Sequence, residues 1–98
     1  MNKVFLTGRI VKPINLSFVG NSIPFAEVCL AVEDAVQNRQ KVWETRVDQM
    51  EMEIWRSLAR YAKEQFSVGD CVEIEACLRP KAALITVEIT SIKKAINT

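Results

Sequence analysis

The chain has 98 residues, 49% of them hydrophobic, with only three glycines and three prolines, which bounds it to one small domain able to fold on its own core. Lys and Arg number 13 against 12 Asp and Glu, a formal net charge of +1, so no global basic field draws phosphates, membranes or acidic partners, and any such attraction is local. Histidine is absent and Cys29, Cys71 and Cys77 show no CxxC spacing; this sets aside Cys/His zinc sites and the usual general base, implies no metal or cofactor, and fits free cysteines packed as small hydrophobes in a reducing compartment.

MNKVFLTGRI enters a strand-like pattern at once, without the charged segment, apolar run and small-residue cleavage site of a secretory signal. No apolar run approaches the roughly 20 residues that span a bilayer, so the chain is expected to be intracellular. Residues 3–12 put Val4, Leu6 and Ile10 on one face of a first strand, and Gly8 inside it predicts a bend. Pro13 ends that strand, and Gly20-Asn21 turns into a second, over about residues 23–33, with Ala26, Val28, Leu30 and Val32 inward and Phe25, Glu27, Cys29 and Ala31 outward.

EDAVQNRQK, residues 33–41, is polar and reads as a connection. The third strand, VWETRVDQ, alternates Trp43, Thr45 and Val47 against Glu44, Arg46 and Asp48. From Asp48 the period changes: Trp55, Leu58, Ala59, Ala62 and Phe66 fall on one helical stripe, with Arg56, Arg60, Lys63 and Glu64 off it. Asp48 with Glu51 resembles a capping box, and the predicted helix covers residues 52–66. SVGD breaks it. CVEIEACL, in which Val72, Ile74, Ala76 and Leu78 alternate with Cys71, Glu73, Glu75 and Cys77, is the fourth strand and LITVEITSI the fifth, joined by the short hairpin Arg79-Pro80-Lys81-Ala82, where Pro80 disfavours strand pairing at the tip.

The predicted class is therefore all-β with one helix: a five-stranded OB-fold, a closed Greek-key barrel with the helix between strands 3 and 4, in one domain over residues 1–98. Other β-rich folds with one helix fit the same order of elements.

Several stretches add a resemblance. MNKVFLTGRI, IPFAEVCLAVE, Thr45-Arg46-Val47 and LARYAKEQFSVGDCVEIEACLR resemble, in order and spacing, the bacterial single-stranded DNA-binding protein family. The most specific parts are NKV-x-L-x-G at Asn2 to Gly8 and VGD-x-V-x-IE-x-x-L at Val68 to Leu78. Among relatives the chain is most similar to short one-domain members such as those of cyanobacteria and chloroplasts, and somewhat similar to primosomal replication protein N. The resemblance implies a homo-oligomer, a dimer or tetramer, whose grooves take single-stranded DNA. It also implies a flexible linker and acidic tip after the barrel, and this chain, ending in IKKAINT, is expected to lack both.

Single-strand binding needs a basic track for phosphates and aromatic side chains on which bases stack. Candidate phosphate contacts are Arg9 and Lys12 on the first strand, Arg39 and Lys41 in the 33–41 connection, Arg46 on the third strand, and Arg79 and Lys81 in the last hairpin. Position by position, the family's aromatics fall on Glu44, near Met50 and about Val36, and the shortened hairpin carries none. Phe25 faces outward, to stack a base or to cover a subunit interface. Trp43 stacks if a bulge turns it outward, whereas its parity with Val47 points it to the core; Trp55 lies on the helix's apolar stripe. Arg46 lies between Glu44 and Asp48, carboxylates that would repel phosphate if they faced the groove. The expected function is non-catalytic, sequence-tolerant binding of single-stranded DNA in replication, repair or recombination, weaker than in full-length relatives. The alternative is an accessory protein-interaction subunit on the same barrel with little DNA affinity. Without a Gly-rich phosphate loop or convergent nucleophile, nothing names a reaction.

Overall fold

Two-residue alternation builds most of the molecule. The computed structural model describes residues 1–96; residues 97–98, the last of the IKKAINT end, lie outside the described residues. In chain order the elements are β1 (Val4–Ile10), β2 (Ser17–Val19), β3 (Ile23–Gln37), β4 (Trp43–Trp55), α1 (Arg56–Gln65), β5 (Cys71–Lys81) and β6 (Leu84–Lys94). The sheet runs β1-β5-β6-β4-β3-β2, and β1 also pairs with β3. That extra pairing closes a barrel of β1, β5, β6, β4 and β3, with β2 appended outside on β3. All contacts between neighbours are antiparallel except β4 with β6, which meet in parallel at Glu53 and Glu88.

The barrel of the predicted class is thus present, with the helix one element later because β2 adds a short strand. Ala26, Val28, Leu30 and Val32 of β3 and Val72, Ile74 and Ala76 of β5 are buried as their alternation requires, together with Ile10, Met52, Ile54, Ile89 and Ile92. Full burial of each large side chain contributes roughly 1.5–3 kcal/mol. Gly8 sits where β1 leaves β5 to reach β3: a Cβ there would collide with the Ala31 carbonyl oxygen and lie 2.9 Å from Leu30 Cγ. Strand β1 ends at Ile10, so Lys12 lies just past it.

Three boundaries differ from the sequence expectation. Residues 33–37 continue β3 and residues 43–47 begin β4, so the polar 33–41 stretch is half strand. Strand β4 runs through Met52 and Ile54, both buried, to Trp55, and the helix begins only at Arg56. Asp48 and Glu51 are therefore strand residues and cap nothing; the helix start has no side-chain cap. Trp55 is the last residue of β4, half-buried against Phe25, and the helix buries Ala59 and Ala62.

The last hairpin is tighter than expected. Pairing continues past Pro80, opposite Ile85, to Lys81 opposite Leu84, leaving a two-residue turn with Ala82 at φ 54. The reason is geometric. Residues two apart point their N–H groups to the same side of a strand, and the Leu78 N–H points toward Asn2, away from β6. The missing N–H of Pro80 faces that same side, where β1 pairs no further than Ala76.

Candidate nucleic-acid interface

A two-stranded ribbon is the most prominent feature outside the barrel. Residues 33–37 and 43–47 remain paired, from Glu33 opposite Val47 to Gln37 opposite Trp43, yet nearly every residue in them is exposed. Its tip is organised by Asn38. The Asn38 Oδ1 accepts from the N–H of Gln40 at 2.9 Å and of Val42 at 3.0 Å, and its Nδ2 donates to Glu44 Oε1 at 2.7 Å. Lys41 takes the left-handed conformation, φ 63, that the tight reversal needs.

Directly paired residues share a face. One face of the ribbon therefore carries Trp43, Gln37, Thr45, Ala35 and Val47, with Glu33 at its base; the other carries Glu44, Val36, Arg46 and Asp34. Trp43 is 66% exposed, so its expected place in the core is corrected: the parity with Val47 holds, but both side chains face water. Glu44 and Asp48, the carboxylates set to repel phosphate, stand on the face opposite Trp43. Arg46 stands with them and pairs with Asp48 at 3.1 Å.

The remaining candidates divide by their partners. Arg39 and Lys41 lie in the turn at the ribbon tip just before Trp43, exposed and in no ion pair among the described residues. Arg79 is likewise exposed and unpaired near the end of β5. Arg9 donates to the Gly69 carbonyl at 2.6 Å, and Lys12 pairs with Glu51 at 3.3 Å. Lys81 is committed: it pairs with Glu53, a carboxylate only 8% exposed that also accepts from Trp55 Nε1 at 3.3 Å. The hydrogen bond to Glu53, then that carboxylate's charge, raise the Lys81 ammonium above the ordinary lysine value, with Glu27 adding to the effect.

Phe25 is half-buried, its ring centroid 4.5 Å from that of Trp55. It lines an open cavity of roughly 470 Å³ with Lys12, Asn15, Ser17, Glu27 and Glu51. The barrel wall beside it is acidic: Glu27 on β3 lies opposite Glu53 on β4, which lies beside Glu88 on β6. The structure thus joins Arg39, Lys41 and Trp43 in one place and leaves Phe25, Arg9, Lys12, Arg46, Arg79 and Lys81 elsewhere. The β3 half of the ribbon, residues 33–37, was hidden in the sequence, because strands that bury neither face need no alternation; the Asn38 turn was its one local signal. Among the described residues no cluster is placed to hold a metal ion, and no helix is long and apolar enough to cross a membrane.

A closed barrel of this strand order, with a ribbon reaching from β3 and β4, defines an OB-fold protein. Residues 1–83 match the single-strand binding protein family, and the chain belongs to that family. Comparison with curated proteins finds no match. Among solved structures the chain is similar to a deletion mutant of the single-stranded DNA-binding protein of Thermus aquaticus, with a TM-score of 0.84 and 15% identity over 99% of this chain; the chain spans 51% of that protein's length. It is similar to the SSB of Plasmodium falciparum in complex with single-stranded DNA, with a TM-score of 0.80 and 12% identity over 97% of this chain and 95% of that one. It is also similar to the protein PriB of Ralstonia solanacearum, with a TM-score of 0.76 and 13% identity over 96% and 97% of the two chains. At these identities the likeness is one of fold.

Proposed function

We propose that the chain is a non-catalytic, sequence-tolerant binder of single-stranded DNA in replication, repair or recombination, and that it holds the strand along the ribbon face and tip rather than across the barrel wall. One observation carries this: exposed Trp43 opens β4 directly after a turn that carries two exposed cations, Arg39 and Lys41, in no ion pair among the described residues, and the neighbouring carboxylate, Glu44, is on the other face. A base stacked on such a ring contributes about 1–3 kcal/mol, and the cations neutralise phosphates without first breaking an ion pair. Family membership supports the same ligand. The working form is a homo-oligomer, a dimer or tetramer, in which Phe5, 68% exposed on β1, gains cover from a second copy. The site of action is inside the cell or an organelle stroma, in keeping with free Cys29, Cys71 and Cys77.

A second reading, an accessory protein-interaction subunit, is favoured by Glu27 and Glu88, the carboxylates on either side of the Lys81-paired Glu53 on the barrel wall, which disfavour phosphate there. Anisotropy of labelled oligo-dT separates the two. At about 20 mM salt, where charge attraction is least screened, the first reading predicts binding to oligo-dT over duplex. Neutralising about three or four phosphates per subunit gives log affinity a slope of −2 to −3 against log salt. Absence of binding at that salt contradicts it.

A further inference from the structure

The helix presents an unpaired basic stripe. Positions i, i+4 and i+7 share a helix face, and on α1 these are Arg56, Arg60 and Lys63, all exposed. None of them joins an ion pair among the described residues, nor does Glu64, the helix's own carboxylate, whereas Lys3, Lys12, Arg46, Lys81 and Lys93 are paired. An aromatic stands beside the stripe. Phe18 of β2 is 52% exposed, and the Arg60 guanidinium lies 5.3 Å from its ring centroid.

The backbone adds a separate observation. Arg56, the first helical residue, has φ 61, a left-handed conformation that is costly for non-glycine residues and that clusters at ligand-contacting segments. It follows Trp55 with no side-chain cap to relieve the helix start.

We infer that Arg56, Arg60 and Lys63 with Phe18 form a second track for the same strand of DNA, the cations on successive phosphates and Phe18 under a base. This rests on the single-strand reading above. Repeated cations about 5–6 Å apart suit the repeated charge of a phosphodiester backbone, and the interleaved ring suits an unstacked base. The track is distinct from the ribbon tip. Strand β4 runs 13 residues from Trp43 to Trp55, which at about 3.4 Å per residue puts the two sites up to roughly 40 Å apart.

The test is anisotropy of a labelled oligo-dT of about 35 nucleotides, bound to the wild-type chain and to an Arg60→Gln/Lys63→Gln variant that leaves the strained Arg56 backbone in place. A triple variant adding Arg56→Gln extends the series, with circular dichroism checking that each folds. The double variant is expected to bind tenfold or more weakly at about 50 mM salt, with a salt slope shallower by about 1.4, while Trp43 emission is still quenched by the strand. Wild-type affinity and slope in the double variant overturn the second track. So does binding of poly-glutamate on this face that leaves oligo-dT undisturbed, since that makes the stripe a site for an acidic protein. If the wild-type chain binds no oligo-dT at all, the single-strand reading itself fails and takes the track with it, a result distinguishable from normal binding by both proteins.

Discussion

The Asn2 side chain pairs with the backbone of Leu78 as a further strand residue would: its Nδ2 donates to the Leu78 carbonyl and its Oδ1 accepts from the Leu78 N–H, both at 2.8 Å. The edge of β5 beyond β1 is satisfied by one amide. Asn2→Ala removes both bonds at an exposed site, and unfolding free energy is expected to fall by about 1 kcal/mol, a loss of some 4–8 °C in melting temperature. Pro80→Ala, on the same side of β5, restores an N–H that no strand awaits and is expected to shift the melting temperature by little. Thermal unfolding followed by circular dichroism checks the pair, and a large loss in Pro80→Ala contradicts the assigned strand side.

Closure of the barrel depends on the absence of a side chain at Gly8. An added methyl meets the Ala31 carbonyl, which is backbone, and Leu30, fully buried. Neither yields without moving β3 away from β1, where Arg9 pairs with Ala31 and Ile10 with Leu30. Gly8→Ala is expected to cost about 3 kcal/mol, at the upper end for an overpacked core. Urea denaturation with an unchanged slope measures it.

The Lys81–Glu53 pair is expected to act as a stability element rather than a DNA contact. Lys81→Met leaves the nearly buried Glu53 carboxylate without its cation, so the melting temperature falls, and adding Glu53→Gln recovers part of the loss. The lysine end is well exposed, so solvent screens the pair and salt weakens it. Because the folded state raises the Lys81 value above the ordinary 10.5, the pair's contribution is complete below that pH and is lost as pH climbs through the higher folded value. The wild type and Lys81→Met are expected to differ by a constant amount from pH 7 to 9 and to converge above about pH 10.5. Oligo-dT affinity of Lys81→Met is expected to stay near wild type.

The inner faces of the strands were legible in the sequence because burial imposes a period of two: Ala26, Val28, Leu30 and Val32, and Val72, Ile74 and Ala76, are all buried, although Cys29, read as outward, is buried as well. The end of β4 was not. Glu51, Met52, Glu53 and Ile54 do alternate, yet the Trp55, Leu58, Ala59 and Ala62 stripe overlaps them and draws the helix start forward. The site was obscured for the opposite reason, since no burial constrains the ribbon, and Trp43 shares its parity with an exposed valine. Ion pairs formed across strands, such as Lys81 with Glu53, depend on register and have no local signature.

Arg46 separates the two faces of the ribbon experimentally. It stands with Glu44 and Asp48, opposite Trp43. Arg46→Glu is expected to change oligo-dT affinity by less than threefold, whereas Trp43→Ala is expected to cost about 1–3 kcal/mol, roughly five- to 150-fold. Anisotropy titrations at one salt concentration compare them, and a larger loss in Arg46→Glu moves the strand to the other face.

The most direct measurement uses Trp55→Phe, which leaves Trp43 as the sole tryptophan, titrated with oligo-dT at about 20 mM salt while its emission is followed alongside the anisotropy of the labelled strand. Saturating quenching of Trp43, with the same midpoint as the anisotropy change, is the result expected of a strand held at the ribbon tip. Binding by anisotropy with Trp43 emission unmoved would contradict it.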